Sequence, residues 1–217
     1  MFTLLSRLSA AVLLTVALAV PVSATPTVST IAEARALPLG STVTVEGTTT
    51  TPSGVFESSF YDKGFAIQDR SAGIYVKTAD DLGARPGRRA RVSGVLTDSS
   101  GLRTIVPATD GVKFGHWALP VLPEPVRTGS VGESTEGRLV AAVAKITKPV
   151  ENDLPYGHKV HVNDGSGEVI VFVNTQTRID VSRFAAGQRV RVVGFSSQYE
   201  DHHEIDPRGP HDLLPLG

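Results

Sequence analysis

Beyond residue 40, apolar and polar residues alternate with a period of two through most of the chain, and the alternation breaks at clusters of Gly, Asp, Ser and Pro. Successive side chains of a strand point to opposite faces, so this period predicts half-buried strands separated by turns. In the first half the strands fall at Thr42–Thr51, Lys63–Asp69, Gly73–Thr78, Arg88–Thr97 and Leu102–Ala108. In the second they fall at Arg138–Thr147, His158–Asp164, Glu168–Asn174, Gln188–Ser197 and His203–Asp206. Between the third and fourth strand of each set lies a stretch without alternation, Ala79–Arg85 and Ile179–Ala186, which predicts a short helical turn. The inward set is Phe65, Ile67, Ile74, Val76, Ala90 and Val92 in one half, and Val160, Val162, Val169, Val171, Val190 and Val192 in the other. Burial of each contributes roughly 1.5–3 kcal/mol, enough to hold a small barrel without cross-links.

The two halves repeat one another. Phe65–Lys77 aligns without a gap on Val160–Phe172, and Gly87–Gly94 aligns on Gly187–Gly194. A repeat of about a hundred residues is the size of a small domain, far too long for a solenoid unit. Each unit has five strands with a short helical element after the third, which is the order of an OB-type, partly open Greek-key barrel. The expected class is therefore all-β: two tandem five-stranded OB-type barrels, each able to fold alone. The leader Ser29–Leu37 reads as a short capped helix before Pro38. Pro120, Pro123 and Pro125 make 116–131 a semi-rigid extended linker between a first barrel at 25–115 and a second at 132–217.

The extreme N-terminus has a different pattern. Arg7 precedes an apolar run from Ala10 to Val20, and Pro21 is followed by Val22-Ser23-Ala24. Eleven residues fall short of the ~20 needed to span a bilayer and match the apolar core of a cleavable signal peptide. Cleavage after Ala24 is expected, giving a secreted or periplasmic protein of about 193 residues. The sequence contains no cysteine, so disulfide scaffolds and thiolate metal sites are excluded. Loss of residues 1–24 removes Arg7 as the only charge and leaves 20 basic against 22 acidic residues. That balance lacks the strong positive charge typical of nucleic-acid binding.

The segments Thr42–Val76 (VTVEGTTT…FAIQD…AGIYV) and Val160–Pro207 (VHVNDGSGEVIVFVN…GQRVRVVGF…EIDP) resemble OB-fold nucleic-acid-binding domains of exported bacterial proteins. Such modules stand, often in tandem, beside extracellular nuclease and phosphoesterase domains. The resemblance implies a non-catalytic binding module whose ligand is single-stranded nucleic acid held with low sequence selectivity.

OB barrels bind on the outer face of their second and third strands. There the alternation places Gln68, Tyr75 and Lys77 in the first unit, and Lys159, His161, Asn163, Ile170 and Phe172 in the second. Tyr75 beside Lys77 is a stacking ring next to a cation, and Phe172 offers a ring in the second unit. The alternative is that Tyr75 packs on the Phe56–Tyr61 loop and that Phe172 and Ile170 pack on the other barrel. Arg89 and Arg91, outward on strand four and echoed by Arg189 and Arg191, read as a phosphate-contacting strip or as a charged edge that blocks strand pairing. The first unit, with Tyr75, Lys77 and its arginines, is expected to be the stronger binder.

His158, His161, His202, His203 and His211 carry no spacing of a known zinc motif, so neither metal nor cofactor is expected. No nucleophile elbow, phosphate loop or His-Glu-x-x-His is present, and no enzyme activity is expected. A protein- or envelope-docking role and oligosaccharide binding stand as the competing functions, since OB folds serve all three.

Overall fold

The computed structural model describes residues 27–216; the expected signal peptide and its cleavage site lie outside the described residues. The first unit is built from β1 (Thr42–Thr49), β2 (Phe65–Gln68), β3 (Gly73–Val76), β4 (Arg88–Ser99) and β5 (Leu102–Trp117). These close into a barrel in the order β1-β2-β3-β5-β4, antiparallel throughout except that β3 runs parallel to β5. After β6 (Glu124–Pro125), the second unit repeats the plan with β7 (Leu139–Ile146), β9 (Gly157–Asn163), β10 (Glu168–Asn174), β11 (Arg189–Tyr199) and β12 (His202–Asp206). Short strands β8 (Glu151–Asp153) and β13 (Leu213–Leu216) add to β9 and β11, and pairing of β11 with β7 closes the ring. The protein thus comprises two five-stranded barrels of the OB type. All twelve residues expected to point inward lie in the two barrel cores.

Three expectations are corrected. No helical turn forms at Ala79–Arg85, whereas the corresponding stretch in the second unit holds the expected turn, a 3-10 turn at Val181–Arg183. β5 continues past Pro107 to Trp117, because register shifts between Arg88 and Ala90 and between Val92 and Gly94 let it keep pairing with β4. The proline-rich segment, expected as a semi-rigid extended linker, is in part a strand of the second unit. Glu124 and Pro125 pair in parallel with Val140 and Ala141, and the Val126 N–H donates to the Ala141 carbonyl at 2.9 Å. Prolines on a two-residue edge strand leave no central ladder bond unmade.

That segment is in fact the second unit's counterpart of the leader. In the first unit Ser29 bridges in parallel to Val45 on β1, and α1 (Ile31–Arg35) follows, closed by a Thr30–Glu33 capping box. The Ile31 N–H donates to Asp69 of the β2–β3 turn at 2.9 Å. In the second unit β6 runs parallel to β7, a 3-10 turn follows at Thr128–Ser130, and the Thr128 hydroxyl donates to Asp164 of the β9–β10 turn at 2.9 Å. Each barrel is therefore strapped across its β2–β3 or β9–β10 turn by the residues before its first strand. The turn aspartate receives the strap and its own turn's N–H groups, which holds the Asp69 and Asp164 carboxyls below the usual carboxylate range.

The barrels also share a core of their own. Val55, Phe56, Ala66, Tyr75 and Leu102 of the first unit enclose Phe195 of β11, whose ring lies 5.8 Å from those of both Phe56 and Tyr75. Around it, Gln68 accepts from the Leu139 N–H at 2.9 Å and Glu136 pairs with Arg35 at 2.8 Å. Arg208 donates to the Thr50 carbonyl at 2.9 Å while gripping Asp212. The backbones of Gly73 and Gly137 approach so closely that a Cβ on either would overlap the other's carbonyl. Glycine is required at that contact because the two chains meet backbone to backbone.

Candidate functional site

The pairing registers define the outer face of the second barrel. Lys159 lies opposite Phe172, His161 opposite Ile170, Ile170 beside Glu204, Phe195 opposite Asp206 and Tyr199 opposite His202. Residues facing one another across adjacent strands share a face. One end of this face, with Phe195, Asp206 and Asn174, lies under the first barrel. There, α2 (Glu57–Phe60) sends the Ser58 and Ser59 hydroxyls to the Asn174 side-chain oxygen at 3.1 and 2.6 Å.

The other end stays open and forms a cleft of about 310 Å³. Phe60 and Tyr61 line one wall, Phe172 forms part of the floor, and Tyr156 and Tyr199 complete the aromatic lining. Tyr61, Tyr156 and Tyr199 keep 74%, 37% and 45% of their surface exposed, so their rings are available at the rim. Tyr61 ends α2 in the left-handed conformation at φ 55°, which turns its ring out toward Tyr156, 5.8 Å away edge-on. Polar groups also line the cleft, and they are paired. Lys159 meets Asp153 at 2.9 Å, and His202 meets Glu204 at 3.0 Å. Burial pushes the Glu204 carboxyl above its ordinary range, against the pull of His202 and Lys159.

A second, smaller pocket of about 220 Å³ shares Ser59, Phe60, Tyr61 and Tyr199 with this cleft and runs between the barrels. Asp62, Tyr75, Lys77, Ser99, Thr104 and Gln198 line it. Asp62 accepts from the Tyr75 hydroxyl at 2.7 Å and the Gly64 N–H at 2.8 Å, and burial raises its carboxyl above the usual value. Tyr75 is pushed well up by its own burial and by the Asp62 charge.

The nine residues singled out in the sequence separate in space. Lys159 and Phe172 line the cleft itself. His161 lies beside it, half of a cluster in which its ring nitrogens face Glu168 at 3.1 Å and Glu151 at 3.2 Å. Asn163 caps the β9–β10 turn by accepting from the Gly165 N–H at 2.6 Å. Tyr75 and Gln68 are not open platforms: Tyr75 is 1% exposed between Phe60 and Phe195, and Gln68 is spent on the Leu139 backbone. The first barrel's outer face was expected to be the stronger site, but there the second barrel covers it. Lys77 reaches the smaller pocket, where it donates to Ser99 at 2.9 Å. Arg89 and Arg91 stand at the far end of β4 from Ser99 and both face Glu46, at 3.8 and 3.4 Å. Tyr156 and Tyr199 carry no signal in the alternation, and Tyr61 only the loop it ends, because they sit in loops and at a strand end. One signal was present: Tyr61 and Tyr156 each precede the second strand's core residue, Phe65 or Val160, by four positions.

Among the described residues no cluster of three or more His, Asp or Glu is arranged to hold a metal ion, and no helix is long and apolar enough to cross a membrane.

No protein-family model and no curated protein matches the chain. Solved structures do match it in part. A murine DNA-binding protein bound to double-stranded DNA is 14% identical over 80% of this chain and 96% of its own, with a TM-score of 0.39. Fission yeast Pot1, solved with single-stranded DNA, is 10% identical over 83% of this chain and 85% of its own, also at 0.39. The p204 HINb domain is 12% identical over 82% of this chain and 97% of its own, at 0.36. The OB assignment itself rests on strand order and closure in the two barrels.

Proposed function

We propose that the protein is an exported, non-catalytic binding module that holds single-stranded nucleic acid, with low sequence selectivity, in the cleft on its second barrel. The observation that carries this reading is the set of three part-exposed tyrosine rings around the open end of an OB ligand face. Every base has a flat face, so stacking on such rings contributes about 1–3 kcal/mol per base while discriminating little between sequences. The charge pattern fits the same account. Lys159 is already paired with Asp153, so phosphates find few free cations and stacking dominates. Affinity should therefore fall only gently with salt, since salt dependence scales with the number of phosphates neutralised. The apolar run before Ala24 supports export to a periplasm or beyond.

One observation favours a second reading. A cleft whose charges cancel and whose rim is aromatic also suits a neutral oligosaccharide, another ligand class of OB barrels. Binding of residues 25–217 to fluorescent ten-nucleotide DNA and RNA and to a neutral glucan, each titrated with salt, separates the two. Strand binding that loses about 1–3 kcal/mol in Tyr199→Ala and in Tyr156→Ala supports the proposal. Glucan binding without strand binding moves the function to the second reading. Failure of all three ligands points to docking on another protein.

A further inference from the structure

The small polar pocket beside the tyrosine cleft contains two acceptors with nothing to accept. Asp62 uses Oδ1 for both the Tyr75 hydroxyl and the Gly64 N–H. Its Oδ2 is buried and has no hydrogen-bond partner, although Lys77 stands 3.6 Å away as a counter-charge. The Asp62 side chain is only 5% exposed. Gln198 presents the second orphan. Its Nε2 donates to the Glu200 carbonyl at 2.8 Å, which leaves Oε1 buried and unpartnered on the same pocket. Buried acceptors left without donors are destabilising, and two of them on one pocket call for a donor from a ligand.

The chemistry of the two atoms selects the ligand group. A phosphate has no proton to donate at neutral pH and would meet the Asp62 charge, so it is disfavoured. A hydroxyl donates and is small enough for the pocket, whose remaining lining includes Ser99 and Thr104. The pocket shares Ser59, Phe60, Tyr61 and Tyr199 with the cleft, so a base stacked on Tyr61 or Tyr199 brings its sugar to the mouth of the polar pocket. Within a strand, the sugar hydroxyl that ribose has and deoxyribose lacks is the 2′-OH, which lets a protein tell RNA from DNA.

Building on the single-strand reading above, we infer that the Asp62–Gln198 pocket is a ribose subsite and that the strand this protein takes is RNA. Asp62 Oδ2 accepts the 2′-OH and Gln198 Oε1 is the neighbouring acceptor. Lys77, 3.6 Å from that same oxygen, positions Asp62 by holding its charge in place, while Tyr75 fixes its other oxygen.

The test compares the mature chain's affinity for ten-nucleotide rA, dA and 2′-O-methyl rA by fluorescence anisotropy. RNA is expected to bind about tenfold more tightly than DNA, the scale of one hydrogen bond to a charged group. The 2′-O-methyl strand, which keeps the oxygen but cannot donate, should fall to the level of DNA. Asp62→Asn places an amide donor where Oδ2 was and should bring RNA down to DNA. Gln198→Leu, which removes the other acceptor without touching Asp62, should narrow the gap in part. Equal binding of RNA and DNA overturns this inference and leaves the single-strand reading standing. Absence of binding by every strand overturns that reading as well. A preference for RNA that survives in both variants, or in the 2′-O-methyl strand, places the discrimination elsewhere and overturns the assignment.

Discussion

Replacing Phe195 by alanine tests whether the two barrels are one folding unit. Phe195 belongs to β11 of the second barrel, yet its ring is fully buried against the first. It stacks on Phe56 at 5.8 Å with 26° between planes and meets Tyr75 at 5.8 Å with a 48° tilt. Neither neighbour belongs to its own barrel, so an isolated second barrel would expose this side chain and lose little on its removal. In the intact chain the cost is that of a core phenylalanine, about 3–5 kcal/mol, from lost transfer energy plus the cavity left between Phe56 and Tyr75. Against a total stability of about 5–15 kcal/mol this is a large fraction. Trp117, the single tryptophan, lies at the end of β5 and reports on the first barrel, whereas far-UV circular dichroism reports on both. In urea the native protein should show one transition by both probes, and Phe195→Ala should move both to lower denaturant together. A cost below about 1 kcal/mol, or native transitions that separate between the probes, would refute a shared core and restore two independent domains.

Three further outcomes follow from contacts elsewhere. Burial raises the Asp206 carboxyl well above its ordinary value and raises Glu204 and Asp62 as well, so the folded chain keeps protons that the unfolded chain releases. Stability from these groups is fully present below the ordinary carboxylate value and is lost as pH rises from there through the elevated values. Thermal unfolding should therefore occur at a higher temperature at pH 5 than at pH 8, and Asp206→Asn should flatten that slope; a midpoint that rises with pH contradicts the account. Gly73→Ala forces a Cβ into the Gly137 carbonyl and should lower the urea midpoint, whereas Gly83→Ser, with open space around it but φ at +68°, should cost only about 1 kcal/mol of local strain. Arg89→Ala with Arg91→Ala removes two half-exposed partners of Glu46 far from the cleft and should shift stability by less than about 1 kcal/mol and leave strand affinity unchanged. A loss of affinity in that double variant would return the arginine strip to the binding surface.

Period-two alternation located ten strands and sorted inward from outward side chains because core packing dictates both at every second residue. The same pattern is silent about what covers the outward set. Tyr75 and Gln68 were correctly turned away from the barrel interior, but the surface that buries them comes from Gly137–Leu139 and Phe195, far along the chain. The pairing of the proline-rich segment is hidden from the sequence for a related reason. Its composition describes a chain without internal hydrogen bonds, and the bonds it makes are to β7, outside itself. Its likeness to the leader was visible only as position relative to the first strand of each unit, since Ser29–Glu33 and Arg127–Val131 share little beyond a threonine.

The duplication explains where the cleft lies. Tyr61 and Tyr156 occupy equivalent places in the two repeats, and their rings touch. Ser100 and Glu200, a hundred residues apart at the equivalent hairpin tips and both at positive φ, are joined by a 2.6 Å bond from the Glu200 N–H to the Ser100 carbonyl. Contact between equivalent residues is the mark of a near two-fold, self-complementary arrangement. Two identical barrels docked by their ligand faces in this way would bury both faces equally. Here the faces have diverged: Tyr75 and Lys77 in one unit stand where Ile170 and Phe172 stand in the other. The first barrel's tyrosine has become part of the joint, anchored on Asp62, and Phe172 has become part of the cleft lining. The paired tyrosines at the rim are what the symmetry leaves exposed, so the cleft proposed to hold the ligand is lined by residues of both barrels and neither half forms it alone.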